Sequence, residues 1–186
     1  MSFLTTTHRR MTASEYFEMP EGPPYFQLVH GELFMSPSPV IRHQKVLLKL
    51  ASRISVFLED HPFGEVFIAP SDVQLGEGDV YQPDIYYVSR EHLGIFDKQG
   101  AKGAPDLVVE VLSPSTARLD RQMKREIYQS AGVAEIWFIN LWYDQIEVHR
   151  FIRGEAGAVI TTLGVEDELS TPLLPGWKMA VKKVLF

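Results

Sequence analysis

Three residues in the middle of this chain have types and spacing that could do chemistry. Asp84 follows Pro83 at the head of an apolar run. Glu110 is the lone polar residue in Leu107-Val108-Val109-Glu110-Val111-Leu112, 26 positions after Asp84. A strand apolar on both faces is a central one, and a carboxylate inside it is costly unless paired, protonated or metal-bound. If the two strands are neighbours, both acids can converge on one hard cation. Mg²⁺ takes one or two protein carboxylates and fills its octahedron with water. A metal so held activates water and offsets charge on a phosphodiester. Lys124 comes next, on a predicted helix, beside the apolar stripe Leu119, Met123 and Ile127. Asp120 lies one turn before it and Tyr128 one turn after. From that edge an amine can reach over the sheet end and stabilise developing phosphorane charge.

Each of these residues also has a plain structural explanation. Pro-Asp recurs at Pro105-Asp106, and an isolated strand Glu can sit in a purely structural ion pair. Lys124 with Asp120 could be an exposed helix pair contributing little.

The elements that must position these residues follow from periodicity and breakers. Thr12 or Ser14 caps a short helix over 13–18, which Pro20 and Gly22 end. Strands over 26–29 and 32–35 flank a tight turn at His30-Gly31. A long helix with Ser38 as cap and Pro39 in its first position runs to about residue 59. Strands are expected at 66–69, 73–75 and 84–88, with 76–79 as a turn and 89–103 as a loop. The Glu110 strand leads to a helix over 119–131, ended by Gly132. Strands over 135–140 and 145–151 form a hairpin around Trp142-Tyr143-Asp144; 159–163 adds another strand, and Pro175-Gly176 introduces a short final element. Strands before, between and after two long helices make an α/β protein, a mixed sheet flanked by helices.

Composition bounds the function. At 186 residues the chain is expected to be a single domain over 1–186 with a proper core. No apolar run reaches membrane-spanning length, and the first residues lack the apolar centre of a signal peptide, so a cytoplasmic protein is expected. The absence of cysteine excludes disulfides, thiol nucleophiles and thiolate metal sites. Eighteen Lys and Arg against 24 acids give −6, which argues against a dedicated DNA-coating protein but allows an enzyme with a local basic groove. On the long helix Arg42, Lys45, Lys49 and Arg53 form a basic stripe. It reads first as a solvated face and second as a surface for nucleic-acid phosphates. His43 opens the apolar stripe Leu47, Leu50, Ile54, Phe57, and reads as a hydrogen-bonded structural histidine or as a ligand.

At Gln82-Pro83-Asp84-Ile85, the run Gly103 to Thr116, then Asp120, Lys124, Tyr128 and Ala131-Gly132-Val133-Ala134-Glu135-Ile136-Trp137, the chain resembles the Uma-two family. These are endonuclease-like proteins of the PD-(D/E)XK superfamily. His30-Gly31-Glu32-Leu33, Ser36-Pro37, His43-Gln44 and Leu174-Pro175-Gly176-Trp177 extend the match to nearly the whole chain. The resemblance implies a restriction-endonuclease-like core and a divalent-metal nuclease site. Asp84 and Glu110 would be the motif's two acids, and the Val111 carbonyl a further ligand for Mg²⁺ or Mn²⁺. The sequence departs from the pattern twice. The superfamily lysine two residues after the second acid is replaced by Leu112, so Lys124 becomes the candidate for it. Gln27 stands where the family usually has Glu, with Glu32 close by; Gln27, Glu32 and His43 are the accessory candidates. The expected function is metal-dependent hydrolysis of DNA phosphodiester bonds. The alternative is a catalytically inactive nuclease-fold protein serving as a nucleic-acid-binding or assembly module. Trp137, Trp142 and Tyr143 also suggest a homodimer interface.

Overall fold

The computed structural model describes residues 9–20, 22–35, 40–112, 117–152 and 157–186, with the backbone alone for 117–120. The chain begins with helix α1 (Ala13–Phe17), closed by a capping box in which Thr12 and Glu15 each bind the other's backbone N–H. The hairpin β1 (Phe26–Val29) and β2 (Glu32–Met35) turns at His30 and Gly31, both at positive φ. A Cβ on Gly31 would stand 2.4 Å from Cβ of Arg10, so that position suits glycine for its space as well as its φ. Helix α2 (Ile41–Asp60) starts later than expected, with extended Val40 at its N-cap and no side-chain cap. Ser38 and Pro39 lie outside the described residues.

After α2 come β3 (Gly64–Ile68), β4 (Val73–Gly76), β5 (Asp79–Tyr81) and β6 (Ile85–Ser89). The turn expected over 76–79 is only Glu77-Gly78, and β5 is too short to announce itself by alternation. The expected loop over 89–103 contains a 3-10 turn at Leu93–Ile95 and β7 (Ala101–Lys102), which pairs with β4. Then follow β8 (Leu107–Leu112), α3 (Ala117–Ala131), β9 (Glu135–Asn140), β10 (Gln145–Phe151), β11 (Ala158–Leu163), β12 (Glu168–Ser170), β13 (Lys178–Ala180) and α4 (Val181–Leu185). Gly132 ends α3 at φ 99°.

The strands form two main sheets, where the sequence suggested one. The larger has the order β11-β10-β9-β8-β6-β3, mixed in direction, with β8 parallel to β9 and antiparallel to β6. The smaller has the order β2-β1-β5-β4-β7. Val109, Val111 and Trp137 on one face of the large sheet pack against Leu47, Leu50 and Ile54 of α2 and against the C-terminal segment. Val108, Leu112 and Phe138 on the other face meet Tyr128 of α3 and Val29, Val73 and Tyr81 of the small sheet. β8 is therefore covered on both sides and buried at all six positions, which explains its apolar sequence. Trp137 is core, stacked on Trp177 with its indole N–H on the buried carboxylate of Glu135. Trp142 and Tyr143, in contrast, stand out from the β9–β10 turn. Among the described residues no helix is long and apolar enough to cross a membrane.

Candidate active site

Pairing register brings the two acids together. In the antiparallel β6–β8 ladder Tyr87 faces Leu107, Tyr86 faces Val108 and Ile85 faces Val109. One further step sets Asp84 opposite Glu110, on the same face of the sheet, where opposed side chains are neighbours. β6 stops there while β8 continues to Leu112 beside β9. The freed Val111 N–H donates to Asp84 Oδ2 at 2.7 Å. His43 Nε2, from the first turns of α2, lies 3.2 Å from the same oxygen. Among the described residues Asp84 Oδ1 has no hydrogen-bond partner, and the side chain keeps 18% of its exposure. One oxygen is thus fixed and the other is available.

Glu110 is held more tightly. Its side chain is 6% exposed, with Lys124 Nζ donating to Oε2 at 2.8 Å and the Tyr128 hydroxyl to Oε1 at 2.6 Å. Lys124 and Tyr128 are four residues apart on α3 and share one helix face. Burial pushes the Glu110 carboxyl up from its usual range; Lys124 opposes this, and the charge of Asp84 adds to it. Burial, with Glu110 close by, raises the Tyr128 phenol well above its ordinary value. Two carboxylates opposed on one face of the sheet, with backbone carbonyls beside them, form a donor set suited to a hard cation. Among the described residues there is no group of three or more His, Asp or Glu arranged to hold a metal. A metal here would rest on two carboxylates, backbone oxygen and water.

The inward face of α3 differs from the expected stripe. Tyr128 is fully buried and Lys124 points in, whereas Met123 is 36% exposed. A buried carboxylate draws the polar pair inward, which apolar periodicity cannot show. Leu119 and Asp120 fall outside the described side chains. Tyr128 is the partner that sequence reasoning underused; its spacing from Lys124 was the available signal.

The accessory candidates separate. His43 joins Asp84, as above, and its buried Nδ1 has no hydrogen-bond partner among the described residues. Gln27 alternates onto the side of Val29, towards Tyr81 and Tyr128, and its side-chain oxygen accepts from the Gln82 N–H at 3.4 Å. Gln82 lies two residues before Asp84, so Gln27 sits near the site. Glu32 is exposed at the turn end of β2, opposite Val29, and the described contacts do not bring it to the acids. Arg42 leaves the basic stripe: it binds the Leu141 carbonyl and Asp144, tying α2 to the β9–β10 turn.

A family model described as "Putative restriction endonuclease", Uma2, matches residues 13–182. The uncharacterised protein sll1609 of Synechocystis sp. (strain ATCC 27184 / PCC 6803 / Kazusa) is 24% identical over 129 residues, covering 68% of this chain and 72% of that one. A crystal structure from Anabaena variabilis ATCC 29413, titled as that of "a putative nuclease belonging to DUF820", superposes with a TM-score of 0.78 at 16% identity, over 94% of this chain and 97% of that one. At that identity the likeness establishes the fold alone, a mixed α/β sheet flanked by helices, as the sequence led us to expect.

Proposed function

The chain belongs to the Uma2 family of restriction-endonuclease-like proteins, and on that premise we propose that it is a divalent-metal-dependent DNA endonuclease. The observation that supports this reading best is the meeting of Asp84 and Glu110 at the end of β6, with Lys124 on Glu110. Asp84 and Glu110 would hold Mg²⁺ or Mn²⁺, with the Val111 carbonyl as a further oxygen. When bound, such an ion lowers the pKa of water and offsets phosphodiester charge.

The chain's own groups do the rest. The Val111 N–H and His43 fix one oxygen of Asp84 and so orient the other. Tyr128 fixes Glu110 from beneath, and the surrounding apolar residues keep bulk water from that carboxylate. Lys124 supplies a cationic donor that orients the attacking water and stabilises the charge growing on the phosphoryl oxygens. The whole of 1–186 acts in this proposal as one cytoplasmic domain, with Trp142 and Tyr143 as anchors for a homodimer, which light scattering would test.

The decisive experiment is cleavage of supercoiled and linear DNA with Mn²⁺ by the wild type, Asp84→Ala and Lys124→Ala. Cutting by the wild type alone supports the proposal; equal cutting by all three means a contaminating nuclease. A second reading, a catalytically inactive nuclease-fold module, is favoured by Gln27 and by the lack of a third acid among the described residues. No cutting by any of the three proteins would select it.

A further inference from the structure

The site chemistry leaves unexplained a basic groove between α2 and the C-terminal segment. It has a volume of about 540 Å³ and is lined by Lys49 and Arg53 from α2 and by Lys182, Lys183 and Phe186 opposite. Four of the chain's 18 Lys and Arg meet here, and no Asp or Glu lines the groove, although the chain carries −6. Lys49 and Arg53 are four residues apart, so they share one wall. Among the described residues Lys49, Arg53 and Lys183 make no ion pair; Lys182 has only exposed Glu166, 3.9 Å away. Like charges facing one another across a groove are unfavourable until an anion lies between them.

Leu48, Met179 and Phe186 add apolar surface to the lining. Leu48 is 72% and Phe186 66% exposed. The Arg42 guanidinium lies 5.3 Å from the Phe186 ring centroid and braces it on one side. That sets the Phe186 ring beside Arg42, in the first turn of α2 and next to His43 in the chain. At ~1.5 Å rise per residue, Lys49 lies ~9 Å and Arg53 ~15 Å farther along the helix than His43.

We propose that this groove seats the backbone of a single DNA strand leading away from the candidate active site. Its phosphates lie on Lys49, Arg53, Lys182 and Lys183, and an unstacked base lies on Phe186. Paired cationic walls over an exposed ring are the arrangement used for single strands, because every base offers a π-face and every nucleotide a phosphate. A duplex stacks its own bases and leaves the ring unmatched. The assignment of the occupant as DNA rests on the proposed nuclease function.

The test is fluorescence anisotropy in EDTA, with a fluorescein-labelled 15-mer of deoxythymidine and a duplex of equal length. Wild type is compared with Lys49→Glu/Arg53→Glu, Lys182→Glu/Lys183→Glu and Phe186→Ala, each confirmed as folded by an unchanged melting temperature. Each charge-reversal pair is expected to weaken single-strand binding at least ~10-fold and to flatten the salt dependence of log Kd by about 1.4, two phosphates at ~0.7 each. Phe186→Ala is expected to weaken binding at least ~5-fold and leave that slope alone. Variants that bind like the wild type, a wild type that does not bind the 15-mer, or tighter binding of the duplex would each overturn the proposal. If the wild type binds as expected but never cuts DNA with Mn²⁺, the nuclease reading falls and the groove stands. If it cuts while the variants bind normally, the groove falls and the nuclease reading stands.

Discussion

Lys124 and Glu110 are 14 residues apart in the chain, yet their Nζ and Oε2 atoms lie 2.8 Å apart across the junction of α3 and β8. The superfamily pattern would place this amine at position 112, on the same strand as the acid. Leu112 shares the Glu110 face by alternation and is 9% exposed. Lys124→Ala should therefore lower DNA cleavage about 100-fold. Adding Leu112→Lys should restore part of it, because an amine there projects to the same side, ~6.6 Å along the strand. Single-turnover cleavage rates of the two proteins check this, and a double variant as inactive as Lys124→Ala would show that the amine must come from α3.

Metal binding can be read without catalysis. Mg²⁺ or Mn²⁺ at ~100 times its Kd should add about 2.7 kcal/mol to the folded state, seen as a rise in melting temperature. Glu110→Gln and Asp84→Ala should remove that rise, because each deletes one of the two carboxylates. A wild type whose melting is indifferent to either ion would refute the metal assignment.

Tyr128→Phe tests the support beneath Glu110. The substitution keeps the ring packed near Tyr81 and removes only the hydroxyl on Oε1. Leaving a buried carboxylate short of one donor should cost ~1–3 kcal/mol in urea unfolding. Mn²⁺ affinity should fall as well, since Glu110 loses its fixed orientation. A loss of stability with unchanged affinity would make Tyr128 a packing residue alone.

His149 offers a pH test away from the acids. It is 3% exposed, its Nε2 lies 3.2 Å from Glu147, and Arg121 and Arg125 approach from α3. Burial lowers its pKa from 6.5, with the two arginines helping and Glu147 opposing. The folded protein thus binds this proton less readily than the unfolded chain. Its contribution is fully favourable above pH 6.5 and is lost as pH falls through the depressed folded value. Urea midpoints at pH 7.5 and 5.5 should fall further apart in the wild type than in His149→Gln; equal differences would rule the histidine out as the source.

The meeting of Asp84, Glu110 and Lys124 was more legible in the sequence than the elements around it. Asp84 and Glu110 were visible because a strand so apolar exposes its one acid, and because Pro-Asp marks where its neighbour starts. Their opposition depends on register, which is set by strand pairing far from either residue. β5 and β7, three and two residues long, carry no periodicity, so the second sheet could not be anticipated. Lys124 reaches Glu110 from the edge of the stripe, as expected, but the full burial of Tyr128 was hidden because helix faces are read from apolar spacing, and here the buried face is polar at its centre. Arg42 looked like part of a free basic stripe until Asp144, 102 residues away, proved to be its partner.

The position of Asp84 has a consequence for the whole molecule. It is touched by His43 from the layer on one side of the large sheet and stands beside the α3 group from the layer on the other. It works as a rivet through three layers, so loosening either outer one shifts the same oxygen atoms. Substitutions deep in α2, at Leu47 or Leu50, should then blunt the proposed cleavage well before they unfold the protein.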